Sequence, residues 1–173
     1  MRTRGAGAKW NKSTLQLGPV NRPSRRETTR MIAVDTNVLV YAHRAESTFF
    51  TQAFECLKSL AEGNQPWGIP VSCLYEFLAI VTNRKIFNPA SNHEQAIAQI
   101  DAWLASPKAQ VLHSGSQHWR TLSELTRKAR LQGGQFHDAR IAAICIENGV
   151  SVLWSADRDF GRFKALKTVN PLV

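Results

Sequence analysis

The stretch MIAVDTNVLVYA occupies residues 31–42, and its reading decides the fold. Ile32, Ala33 and Val34 form a short apolar run, the signature of a strand buried on both faces. Asp35 ends that run, and residues 36–41 continue as a helix. The same handover repeats along the chain. Strands are expected at 67–69, 110–112, 151–154 and 167–169, with 151–154 the strongest. Helices are expected at 48–62, 72–83, 94–105, 117–131 and 138–147, with a short one near 159–163. Gly63-Asn64, Gly133-Gly134 and Asn148-Gly149 punctuate them. Short apolar strands alternating with helices predict an α/β fold, a parallel sheet covered on both faces. Ligands of such sheets bind outside the carboxyl ends of the strands.

The acids fall at those ends. Asp35, Asp157 and Asp159 follow strands, and Asp138 opens a helix. Each also has a bland reading, as a helix cap or a turn residue. Glu76 lies in VSCLYEFLAIV, a helix apolar nearly all round, where it would snorkel to solvent or need a cation. Two carboxylates about 5 Å apart repel by roughly 3 kcal/mol at an effective dielectric near 20. Five acids brought to one sheet edge therefore call for cations. All-oxygen ligands suit Mg²⁺ or Mn²⁺ rather than zinc. Such ions activate water and stabilise a leaving oxygen in phosphoryl chemistry. The set of acids favours the ligand reading of Asp35 over the cap.

In order and spacing these motifs resemble the PIN-domain ribonucleases, most closely the VapC-type toxins of type II toxin–antitoxin modules. VDTNVLVYA looks like the opening strand with its first acid, CLYEFLAIVTN like the helical glutamate, HDARIAAI like the third acid, and LWSADRDF like the closing motif. The resemblance covers residues 31–173. It implies a three-layer α/β/α fold around a central parallel sheet of four to five strands. It implies Mg²⁺- or Mn²⁺-dependent RNA cleavage by metal-activated water, homodimerisation, and inhibition by a small cognate antitoxin. Asp35, Glu76, Asp138 and Asp157 are then the catalytic and metal-binding acids, with Asp159 auxiliary. Asn37 and Ser155 would orient them. Arg140, Arg158 and Arg162 are candidates for holding the RNA backbone. His137, beside Asp138, reads as a neutral histidine rather than a base.

Other classes fit less well. A phosphatase opening on DxD needs a second acid where Asn37 stands. A receiver-type phospho-acceptor needs paired acids after the first strand and a lysine after the last. A stand-alone RNA-processing nuclease, or a protein that binds RNA or antitoxin without cutting, would share the fold. Phe49, Phe50 and Phe54 would form an antitoxin groove or, the favoured reading, core.

Charge is unevenly spread. Of 22 basic residues, eight lie in residues 1–30, which hold one acid, Glu27. Residues 31–173 carry 14 basic and 12 acidic residues, nearly neutral. The leader is rich in Gly, Ser, Pro and Arg and is expected to be mostly disordered. It reads as a nucleic-acid arm, a docking segment, or sequence upstream of a true start at Met31. No apolar stretch is long enough for a membrane span, and the leader lacks the apolar core of a secretory signal. Cys56, Cys73 and Cys145 are odd in number and lack CxxC spacing. They read as thiols of a reducing cytosol, so a cytoplasmic location is expected.

Overall fold

A computed structural model describes residues 30–173. The expectations for residues 1–29 lie outside these. Five strands, β1 (Ile32–Val34), β2 (Trp67–Pro70), β3 (Ala109–Leu112), β4 (Val152–Trp154) and β5 (Thr168–Val169), form one sheet in the order β3-β2-β1-β4-β5. Every pairing is parallel. Six helices flank it: α1 (Thr36–His43), α2 (Phe50–Glu62), α3 (Val71–Val81), α4 (His93–Leu104), α5 (His118–Ala129) and α6 (Gln135–Glu147). A 3-10 helix, Arg158–Arg162, follows β4. The expected three-layer α/β/α architecture is present, with five strands.

Strand order explains where a site can form. From β1 the chain steps outward through β2 to β3, then returns to the other side of β1 with β4 and β5. The order reverses between β1 and β4, and the loops leaving these two strands part to open a crevice. Val34 pairs with Trp154 in register. The pairing runs one residue further, because the Asp35 N–H donates to the Trp154 carbonyl at 2.9 Å. Asp35 is thus fixed at the mouth of the crevice by the backbone itself.

The core follows from the short strands. Ala33, Val34, Trp67, Ile69 and Leu153 are fully buried. Against them pack Val38 and Leu39 of α1, Phe77 and Val81 of α3, and Ile141 to Cys145 of α6. At β2, a Cβ on Gly68 would come within 2.7 Å of the Leu112 side chain, so glycine lets β3 close in.

Several element boundaries shift by a residue or more from the sequence reading. α5 stops at Ala129, where Arg130 turns left-handed at φ 50°, before the Gly133-Gly134 signal. α6 starts at Gln135, so Asp138 sits inside its first turn rather than opening it. The phenylalanines of α2 are surface residues, not core: Phe49 is 36% and Phe54 47% exposed, and Phe50 is half-buried. α2 buries only Ala53, Leu57 and Leu60 on its inner stripe, and the three rings fall off that stripe.

Candidate active site

The crevice holds a cavity of ≈ 310 Å³ whose walls carry Asp35, Glu76, Asp138 and Asp157. No Lys, Arg or His lines it. Among the described residues none of these four acids makes an ion pair. The fold thus gathers four carboxylates from the end of β1, from α3, from α6 and from the loop after β4, and among the described residues no base stands between them.

Asp35 is the innermost, 4% exposed. Its Oδ1 accepts from the Thr36 N–H at 2.8 Å, which makes it the N-cap of α1. The cap and site readings of this residue are therefore not exclusive. The other oxygen, Oδ2, accepts from Asn37 Nδ2 at 2.7 Å and from the Ser155 hydroxyl at 2.6 Å. The Asn37 amide also donates to Ser155 Oγ at 3.0 Å, while its own oxygen accepts from the Ala156 N–H at 3.1 Å. Both amide protons and the amide oxygen are engaged, so the ring of bonds ties the end of β1 to the loop after β4. Ser155 Oγ further accepts from the Asp157 N–H at 3.0 Å. Asp157 caps the 3-10 helix, its Oδ1 accepting from the Asp159 N–H at 2.8 Å.

Burial pushes the Asp35 carboxyl from 3.8 up to about 6, against the lowering effect of the Ser155 and Thr36 bonds, and the Glu76 and Asp138 charges add to the rise. Asp138 is also raised, chiefly by burial and then by the Asp157 charge, with Arg162 pulling the other way. Cys73 Sγ lies 3.7 Å from Asp35 Oδ1. Burial and the Asp35 charge hold this thiol protonated, which removes it as a soft ligand.

Glu76 departs from the expectation of a buried acid. α3 turns Ser72, Cys73, Leu74, Phe77 and Val81 inward and leaves Tyr75, Glu76 and Ala79 exposed. Glu76 needs no cation to offset burial. It is instead held in place by the Thr36 hydroxyl, which donates to Oε2 at 2.7 Å. Asp159 is the second correction. Its carboxylate pairs with Arg162 at 2.8 Å and does not line the cavity. That pair also occupies the guanidinium proposed for RNA. Arg158 is exposed beside the loop, and Arg140 is exposed on α6.

Thr36 escaped the sequence reading, although it stands between the two residues singled out in VDTN. Its hydroxyl at the start of α1 faces α3, a contact across 40 residues that no local pattern announces.

The donor chemistry fits a hard divalent cation: oxygens only, net negative, with no internal base. The side chains are not drawn together to ligation spacing, since among the described residues no three carboxylate, imidazole or thiol groups form a ready cage. Magnesium sites of this kind keep several waters and borrow ligands from substrate phosphates.

The PIN domain family matches residues 32–166. The VapC ribonuclease Mb2897 of Mycobacterium bovis is 39% identical over 142 residues, 82% of this chain and 96% of that protein. The crystal structure of VapBC2 from Rickettsia felis, bound to a DNA fragment from their promoter, matches with a TM-score of 0.60 at 20% identity, over 80% of this chain and 97% of that one. VapC20 of Mycobacterium tuberculosis, a sarcin-ricin loop cleaving toxin, matches with a TM-score of 0.57 at 20% identity, over 79% and 98%. At that identity the two structures speak for the fold alone. The sequence match, carried over most of both chains on a parallel sheet with acids at its switch point, is enough to conclude that the chain belongs to the PIN-domain family, among its VapC ribonucleases.

Proposed function

We propose that this protein is a metal-dependent endoribonuclease acting as the toxin of a toxin–antitoxin module. The observation that carries the reading is a cavity walled by four carboxylates without a basic side chain, in a chain closely related to a named VapC ribonuclease. Residues 31–173 are the nuclease domain in this reading. Asp35, Glu76, Asp138 and Asp157 would hold Mg²⁺ or Mn²⁺, directly or through water. The ion supplies a more acidic bound water and charge neutralisation at the leaving oxygen.

The chain's own residues have separable tasks. Asn37 and Ser155 fix the Asp35 carboxylate in the cavity wall. Thr36 holds Glu76, which is otherwise free on an exposed face. Val40, Ile141 and Phe160 make the apolar part of the wall and strengthen the local field. Asp159 acts from outside, by restraining Arg162.

The remaining parts of the reading are a cognate antitoxin partner, a homodimer and a cytoplasmic location. Related folds occur in VapBC complexes, and the exposed Phe49 and Phe54 offer an apolar face on α2 for an antitoxin. No helix among the described residues is long and apolar enough to cross a membrane. The three cysteines are free.

Purified protein should cut single-stranded RNA with Mg²⁺ or Mn²⁺ and stop on chelation. Asp35→Asn and Glu76→Gln should each lose about 100-fold or more while staying folded. Cutting that survives chelation, or that proceeds at the wild-type rate in both variants, sinks the metal-site reading. Tight RNA binding with no cutting would point to a non-catalytic member of the fold.

A further inference from the structure

A second hollow of ≈ 300 Å³ adjoins the carboxylate cavity and shares Glu76 with it. Its other walls are Ser72 and Tyr75 of α3 and His137 and Arg140 of α6. Three features of this hollow lack an internal explanation. Ser72 is 3% exposed, yet its hydroxyl has no hydrogen-bond partner. A buried hydroxyl is ordinarily paired. Arg140 is exposed and makes no ion pair among the described residues. Tyr75, which lines the same hollow as Arg140, is 66% exposed.

We propose that this hollow is a subsite for one nucleotide of single-stranded RNA, adjacent to the phosphate being cut. Arg140 grips the phosphate of that nucleotide. The Ser72 hydroxyl, closed to solvent in the free protein, gains its missing partner when the wall yields to an oxygen of the same group, with His137 as a further donor. The base stacks on Tyr75. The combination argues for nucleic acid over an acidic peptide, because an exposed aromatic side chain and a guanidinium lining one hollow supply the stacking and the charge that single strands use. Glu76 lines both hollows, with its Oε2 bonded to Thr36 in the wall of the first. The inference rests on the ribonuclease reading and adds the residues that position the strand.

The test uses the full chain and a fluorescein-labelled single-stranded RNA decamer of mixed sequence. Anisotropy in chelator reads binding without cutting, and kcat and KM are then measured with Mg²⁺. Tyr75→Leu should weaken binding at least about fivefold, the low end of stacking losses. Arg140→Gln should weaken it as much and lower the salt slope of log K by about one. Both should raise KM with kcat within about twofold. Ser72→Ala should weaken binding while leaving Tm unchanged or higher, because it deletes an orphaned buried hydroxyl. That pair of shifts is not what a structural serine gives.

Variants that bind and cut like wild type overturn the subsite while the ribonuclease reading stands. Wild-type protein that neither binds nor cuts the RNA overturns both. Binding that falls only alongside a changed oligomeric state on size exclusion makes this hollow a contact between copies and overturns the proposal. Loss of antitoxin binding with RNA affinity intact does the same in favour of a protein partner.

Discussion

Asp35 carries an unusual load for one side chain. It ends β1, caps α1, accepts four hydrogen bonds and faces two other acids. Its carboxyl is raised from 3.8 to about 6 in the fold, so the native state holds the proton more tightly than the unfolded chain. The contribution to stability is intact below about pH 4 and is lost as pH rises through about 6, a loss of roughly 3 kcal/mol. Asparagine escapes that loss but disturbs two of the donors to Oδ2, which returns about 1–2 kcal/mol. Metal-free Asp35→Asn is therefore expected to be more stable than wild type by about 1 kcal/mol at pH 7–8. The advantage should vanish near pH 4, as urea melts across pH will show; a variant less stable at every pH contradicts this account. The acid's position at a strand end was legible in the sequence. Its partners were not, except Asn37 and Ser155, because hydrogen bonds that span 120 residues follow from strand order rather than from local pattern. Thr36 and Cys73 were missed for that reason.

At the scale of elements, all five strands and all six helices were foreseen, because apolar runs and helical spacing are local signals. The ends were less legible. The Gly133-Gly134 pair was expected to stop α5, yet the chain leaves the helix at Arg130, in a left-handed conformation that an ordinary side chain resists. Replacing this exposed residue by glycine should raise stability by about 0.5–1 kcal/mol, read as the midpoint of a denaturant melt. Cleavage should not change, since Arg130 lines neither hollow. α6 begins early because Gly133, at φ 54°, reverses the chain just ahead of Gln135. The shift matters for the site: Asp138 stays in the first turn, where the helix dipole favours its charge. On α3 the open side was not legible. Sequence alone could not tell which side of an almost wholly apolar helix the fold would leave open, and that side holds Tyr75 and Glu76.

For the whole molecule, the separate signs become one property. Four acids collected without a base leave a negative field in a crevice of an otherwise nearly neutral domain. A hard cation that binds only the folded arrangement should stabilise it by mass action, about 2.7 kcal/mol when present at 100 times its Kd. Wild-type protein should show a Tm that climbs with millimolar Mn²⁺ and falls back on chelation. Asp35→Asn should respond far less, so that its metal-free advantage reverses when metal is present. A flat Tm for wild type across this range contradicts the cation reading.

The pairing of β1 with β4 has a further consequence, one of timing. The first acid lies at residue 35 and the loop that orients it at residues 155–157, so the two halves of the site are synthesised 120 residues apart. A chain emerging from the ribosome carries Asp35 and Glu76 long before the strand that locks Asp35 in place exists. Contacts so distant in sequence form late in folding. The ordered site is thus withheld until synthesis has passed residue 157, and a copy cut short before that point is disarmed by its topology.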